Sequence, residues 1–333
     1  MPPFSRSRFA LWMAASGAAL VALAAWSLTV GRYPVSVPEV FRALSGALGG
    51  NAQAVILELR APRVAAALVV GAALSGAGAA FQALFRNPLV SPDILGVSSG
   101  CALGAGAAVL LALPLAGVQA FAFVGGLAAV GLVVAIAGRV GERDPLLTLI
   151  LSGVVVGSLF GAGIALVKFV ADPYNQLPAI TFWLLGSFSG VSPADLGVAL
   201  VPLAIGLVPL ALLRSRIDLL ALSEDEAASL GANVRLLRGA VIVFGTLATA
   251  AAVAIAGTIG WVGLLVPHAA RLLAGAPFAR VFPLSLVLGA GFMVAVDTAC
   301  RSAFAVEIPP GVATAFVGAP VFIALLAATR RAP

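Results

Sequence analysis

Charge is what this 333-residue chain has least of: Asp, Glu, Lys and Arg together make up 10% of it, where a soluble domain carries roughly 25%. It has one lysine, Lys168, which follows no glycine-rich loop. There is therefore no Walker A motif, and the chain cannot hydrolyse ATP by itself. It also has one histidine, His268. Gly96-Val97-Ser98-Ser99-Gly100 matches a serine-nucleophile elbow by letter. That motif needs a preceding strand and a nearby His and acid, and here it opens an apolar helix. His268, after Val266 and Pro267, reads as a satisfied inner-end residue rather than a haem ligand. The two cysteines, Cys101 and Cys300, sit inside apolar runs as packing residues and make neither a metal site nor a disulfide. Asp297 is the one clear carboxylate within an apolar run, so a proton-coupled carrier lacks its usual relay. The net charge of +6 comes with no basic cluster and no aromatic platform, which excludes nucleic acid as a partner.

What is there is apolar: 62% of the residues are hydrophobic, and the mean hydropathy is +1.13. This is the composition of an all-α integral membrane protein. A barrel would show alternating segments of about ten residues, and none occur. Residues 60–104 show the plan. Arg60 and Arg63 flank a proline, and an apolar run from Val64 to Leu84 follows, long enough for the roughly 20 residues that a bilayer core requires. A polar break, Arg86 to Asp93, carries two prolines that end the helix. Gly96, Gly100 and Gly104 then line one helical face, as expected where helices pack closely in lipid.

Repeating that reading along the chain gives ten spans, at about 9–30, 64–84, 93–113, 117–138, 146–169, 195–213, 239–256, 261–273, 283–304 and 311–328. The first is too long for a secretory signal, whose apolar core is roughly 7–15 residues, and reads as a retained helix. Ser36 and Glu39 form a capping box for a short surface helix. A second glycine ladder runs through Gly153, Gly157 and Gly161, and residues 180–188 make a half-helix. Thirteen of the nineteen Lys and Arg residues fall on the side that holds the termini. By the positive-inside rule both termini are cytoplasmic. Five spans plus five suggest an inverted repeat. The chain reads as one transmembrane domain over 1–333, with 214–238 as its longest polar stretch.

Two regions stand out as candidate sites. Arg60, Arg63 and Arg301 run against the charge bias on the outer side. They either snorkel and pair locally, as Asp297 and Arg301 could at i, i+4, or form a basic dock for an acidic periplasmic partner. On the inner side, Ser223 and Glu226 form a capping box, and Glu224 and Asp225 favour the positive helix N-terminus. Gly231, after Leu230, closes the turn. A helix with both a start and a stop suits a surface that pushes on another protein.

The segments LRAPRVAAALVVGAALSGAGAAFQALFRNPLVSPDILGVSSG, LALSEDEAASLGANV, GTIGWVGLLVPHAARLLAG and EIPPGVATAFVGAPVFIALL, in that order, resemble the FecCD/BtuC-type permease subunits of type II ABC importers. These carry ferric siderophores, haem or cobalamin, and some relatives carry molybdate. The resemblance implies a ten-helix permease domain that pairs with a second copy of itself in the bacterial inner membrane. It also implies two cytoplasmic ATPase subunits, which use ATP and Mg, and one periplasmic binding protein. This chain itself would be non-catalytic and hold no cofactor. Arg60, Arg63 and Arg301 then match docking arginines. Ser223, Glu224, Asp225, Glu226, Leu230 and Gly231 match the ATPase coupling helix, so that 214–238 is the coupling loop. Asn87 and Leu89 match the cytoplasmic gate. Ferric siderophore or haem iron is the first choice of cargo, with cobalamin or molybdate the alternatives. An ion-coupled secondary transporter is the reading from another class.

Overall fold

The computed structural model describes residues 6–140, 145–303 and 305–329. Arg143, Arg330 and Arg331, counted above on the side of the termini, lie outside the described residues, as does the extreme N-terminus. Helices account for the regular structure, with no strand among the described residues. In chain order they are α1 (Arg6–Thr29), α2 (Val37–Leu44), α3 (Asn51–Leu84), α4 (Val97–Leu110), α5 (Leu115–Val140), α6 (Pro145–Val170) and α7 (Gln176–Leu184). Then come α8 (Pro193–Leu212), α9 (Glu224–Ser229), α10 (Val234–Ala256), α11 (Val262–Ala274), α12 (Phe278–Ser302) and α13 (Pro310–Thr329).

Seven of these, α1, α3, α5, α6, α8, α10 and α12, are long and apolar enough to cross a bilayer. Where the other three spans were expected, the structure has the shorter apolar helices α4 and α11 and, in α13, the apolar stretch Pro310–Ala324. The half-helix expected over 180–188 is α7, which begins four residues earlier and ends at Leu184. The expected capping box of α2 is formed, with the Ser36 N–H donating to Glu39 Oε2 at 2.7 Å.

The central element is α3, the most buried of the long helices, which packs on α12, α10 and α11. Of its 18 buried residues from Pro62 to Leu84, 12 are Ala, Gly, Ser or Val, small enough for backbones to meet. A Cβ on Gly71 would lie 2.2 Å from the Gly289 carbonyl oxygen, and one on Gly78 would lie 2.1 Å from that of Gly263. The glycine stripe of α4 does the same against α5, where Gly100 and Gly125 each leave room for the other's carbonyl. Around this centre α1 and α6 leave most of their apolar surface uncovered, the arrangement expected where lipid or another membrane helix is the neighbour.

The helix expected from residue 64 begins earlier. A π-helical segment, Val55–Arg60, runs directly into the α-helix at Ala61, and Pro62 sits in that helix's first turn. The Ala61 N–H donates to the Ile56 carbonyl, five residues back, so the wider π turn carries the helix past a proline that has no N–H of its own. The helix expected from residue 93 begins later. Pro92–Leu95 forms a 3₁₀ turn, and Gly96, at φ 76°, takes the left-handed conformation before α4 opens. A similar break follows α10, where Gly257 and the non-glycine Trp261 both have positive φ before α11. Each half of the chain thus has a buried helix, an irregular segment and a short helix.

Candidate functional site

The two candidate regions lie at opposite ends of α3. Its 24-residue α-helical part spans about 36 Å. At the first end Arg63, in the opening turn, donates from Nε and Nη2 to both carboxylate oxygens of Asp297 at 2.7–3.0 Å. Its Nη2 also reaches Glu307 Oε1 at 2.6 Å. Arg301, one turn beyond Asp297 on α12, brings its Nε to 3.5 Å from the same carboxylate. The local i, i+4 pair weighed from the sequence is therefore present.

Arg60 and Arg301 close the end of α1. Arg60 donates to the carbonyls of Leu28, Thr29 and Tyr33 at 2.6–3.1 Å. Arg301 donates to the carbonyls of Val30 and Ser27 and to the Ser27 hydroxyl. Those terminal carbonyls have no intrahelical partner, so two guanidiniums supply what the helix lacks. Gly31 passes between them, where a Cβ would lie 2.6 Å from Arg60 Nη2 and 3.3 Å from Arg301 Nη1. The structure thus gathers the three arginines into one cluster. All three are buried, and their guanidiniums are engaged with their own chain. Asp297 is fully buried, while the Glu307 side chain keeps 37% of its surface open. The sequence reading passed over Glu307, because a loop residue 244 positions from Arg63 has no periodic link to it.

At the other end the expected short helix is α9. The Ser223 hydroxyl accepts from the Glu226 N–H at 3.3 Å, and Glu226 Oε2 accepts from the Ser223 N–H at 3.0 Å. The Ser223 hydroxyl also donates to Glu226 Oε2 at 2.8 Å, and that bond first, then the one from the Ser223 N–H, holds the Glu226 carboxyl below the ordinary carboxylate range. Gly231 closes the turn at φ 76°. Ser223, Glu224, Asp225, Glu226, Leu230 and Gly231 are all exposed, and Ala227 alone faces the core. Glu224 pairs with Arg238 at 2.7 Å.

The Arg86-Asn87-Pro88-Leu89 turn lies at this same end and is exposed. Asn87 Oδ1 accepts from the Leu89 N–H at 2.9 Å, so Asn87 builds the turn that presents Leu89. Arg86 links the turn to the 214–238 stretch, donating to the carbonyls of Leu220 and Leu222. Asp218 ties that stretch to the start of α12, accepting from the N–H groups of Phe278 at 2.5 Å and Ala279 at 3.2 Å. Burial pushes the Asp218 carboxyl up, against the opposing pull of those two bonds. Nearby Arg271 donates to Gln82 Oε1 at 2.9 Å. One guanidinium thus joins the turn to the segment that leads into α9.

Residues 19–328 match the FecCD transport family. The chain belongs to that family. It is 38% identical to the molybdate import system permease protein MolB of Haemophilus influenzae, over 94% of each chain. It is 43% identical to a probable iron chelatin transport system permease protein of Helicobacter pylori, over 83% of each. Among solved structures, that of a metal-chelate type ABC transporter in an inward-facing conformation superimposes with a TM-score of 0.86 at 37% identity. That alignment covers 94% of this chain and 98% of the other. The FecCD assignment agrees with the helical membrane architecture described above. It also agrees with the resemblance carried by the motifs around Arg63, Asn87, Ser223 and Pro309.

Proposed function

We propose that this chain is the membrane-spanning permease subunit of an ATP-driven importer that moves a metal chelate from periplasm to cytoplasm. In this reading it is non-catalytic, pairs with a second copy and is driven by two ATPase subunits that use ATP and Mg. A periplasmic binding protein delivers the cargo. Both termini are cytoplasmic, as the thirteen-to-six charge bias argues.

The observation that carries the reading is the link from α9 to the Arg86–Leu89 turn. A six-residue helix with nearly every side chain in solvent buries too little to be there for stability. It is capped at both ends, and Arg86 ties the segment leading into it, at Leu220 and Leu222, to the turn that carries Asn87 and Leu89. A push on α9 therefore reaches that turn, which is what a gate worked from outside requires. A ferric siderophore or haem iron complex is the first choice of cargo, and cobalamin or molybdate the alternatives.

At the arginine cluster, docking takes a form the sequence did not anticipate. Glu307 is the partly open carboxylate on Arg63, and an acidic side chain of the binding protein would take its place. Asp297 gives an ion-coupled carrier no proton relay, because it is held between two arginines.

The experiment is reconstitution in proteoliposomes with an ATPase subunit and a binding protein of the same importer. Uptake that needs ATP hydrolysis supports the importer. Uptake by the chain alone, following a proton gradient, rejects it.

A further inference from the structure

Asp93 lies on the irregular segment before α4. The sequence reading placed it at the start of a helix and took Asp297 as the one carboxylate within the membrane region. Packing against α6 corrects this. A Cβ on Gly153 would lie 2.0 Å from the Ile94 carbonyl oxygen, and Gly96 sits against the Gly157 backbone. Those glycines lie about 12 and 18 Å along a helix about 39 Å long. Asp93 is therefore held well inside the depth of the bundle. The second irregular segment meets it there, because Pro92 packs on Gly263 in the first turn of α11. Paired breaks in corresponding parts of two halves are where membrane transporters build cargo contacts.

Between the breaks lies a cavity of about 590 Å³. Asp93, Ser98, Leu184, Thr258, Trp261 and Phe316 line it, and among its lining residues Asp93 is the one ionisable group. The Asp93 side chain is open to this space. Its carboxylate accepts from the Ser98 hydroxyl, and among the described residues no cation pairs with it. Asp297 is the contrast, fully buried and neutralised by arginine. A plain capping role would direct the carboxylate to the free N–H groups of α4, and the bond it makes goes to a side chain instead. An unpaired carboxylate at this depth is costly unless it faces a water-filled path and acts on what passes.

We propose that Asp93 makes this cavity a cation-preferring station on the cargo path. It would bind chelates that present ammonium, amine or hydroxyl donors and disfavour free oxyanions. The proposal rests on the importer reading and names the class of cargo for it.

The test uses the full chain in nanodiscs, with Ala315→Cys as a reporter on the cavity wall; the native Cys101 and Cys300 are buried. Modification by a cationic (trimethylammonium) and an anionic (sulfonate) methanethiosulfonate is compared with the rates for a free thiol. The cation should be favoured, and Asp93→Asn should lower the cation-to-anion ratio about tenfold through loss of one nearby charge. Asp93→Glu should keep the ratio, which separates charge from misfolding. Ferrioxamine B, an iron chelate with one ammonium, should slow modification where molybdate does not, and Asp93→Asn should remove that protection. An unreactive Ala315→Cys, a ratio indifferent to Asp93→Asn, or equal protection by the two cargoes would each overturn the proposal. The labelling needs no ATPase, so its failure leaves the importer reading standing. Failure of ATP-driven uptake would leave the charge preference standing.

Discussion

Asp297→Asn should unfold this protein more readily than any change in the exposed α9. The substitution keeps the size of the side chain and removes its charge. It leaves Arg63, bonded at 2.7–3.0 Å, and Arg301, at 3.5 Å, buried against a neutral amide. Breaking a buried pair from one side costs about 3–5 kcal/mol, because the remaining charge stays desolvated. At about 2 °C per kcal/mol for a chain of this size, Tm should fall by about 6–10 °C. The second carboxylate gives the internal comparison. Glu307 is 37% exposed, and a pair so open to water contributes at most about 1 kcal/mol. Glu307→Gln should therefore move Tm by no more than about 2 °C. The assay is thermal unfolding in detergent or nanodiscs at a fixed scan rate, followed by loss of the monodisperse species. A double-mutant cycle with Arg63→Met should return a coupling of about 2 kcal/mol or more, since removing both charges relieves the stranded one. If Asp297→Asn melts within 1–2 °C of the parent, about what the exposed pair is worth, the cluster does not hold this end together.

Other outcomes follow from the same geometry. Because Arg63 is bound to Asp297, reversing it to Glu would disturb folding as well as docking. Glu307→Gln is the cleaner probe and should tighten binding-protein affinity about threefold to tenfold, whereas an unchanged Kd rejects docking at Arg63. Replacing Leu230 or Gly231 with Asp should leave ATP hydrolysis in the assembled complex while uptake falls at least tenfold, by the loss of a fitted surface; normal coupled uptake counts against α9 as the driven element. Gly289→Ala should cost about 1–3 kcal/mol or more, since its Cβ would lie 2.1 Å from Ser75 Oγ and 2.4 Å from the Gly71 carbonyl oxygen, and a Tm equal to the parent's would show that the α3–α12 contact gives way. The Glu226 carboxyl titrates below its unfolded value, so its contribution to α9 is complete above about pH 4.5 and is lost as pH falls through the lowered folded value. Protection of the amides over 224–229, taken relative to the intrinsic exchange rate at each pH, should therefore fall at low pH, and Glu226→Gln should blunt that response.

Where a stretch of sequence answers to one local rule, its structure was legible. The Ser223–Glu226 box, the left-handed Gly231 and the packing glycines Gly100, Gly104 and Gly153 are where spacing placed them. Spacing alone over-read the second ladder, since Gly161 has nothing close to it. The start of α3 was missed because proline usually marks a boundary, whereas the π-helical segment before Ala61 carries the chain through it. The partners of Arg60 and Arg301 are backbone carbonyls of α1, and no pattern of residue types announces a carbonyl. Asp93 was misplaced for a related reason. Whether a carboxylate beside a proline faces solvent or the interior depends on how far the chain climbs before its helix opens. Gly153 on another helix sets that distance.

The clasp on α1 also constrains how the polypeptide is made. Little of that first helix is sunk in the bundle, and one of its two clamping side chains, Arg301, comes 271 residues after Val30. During synthesis the helix has Arg60 and the small cluster of Val35, Val40 and Ile56 around Leu28 to hold it, and it gains the Arg301 bonds when nearly the whole chain has emerged. A ribosome stalled before α12 would leave it without those bonds. Quality control that senses a loose first segment would then be reading completion of the last third of the molecule.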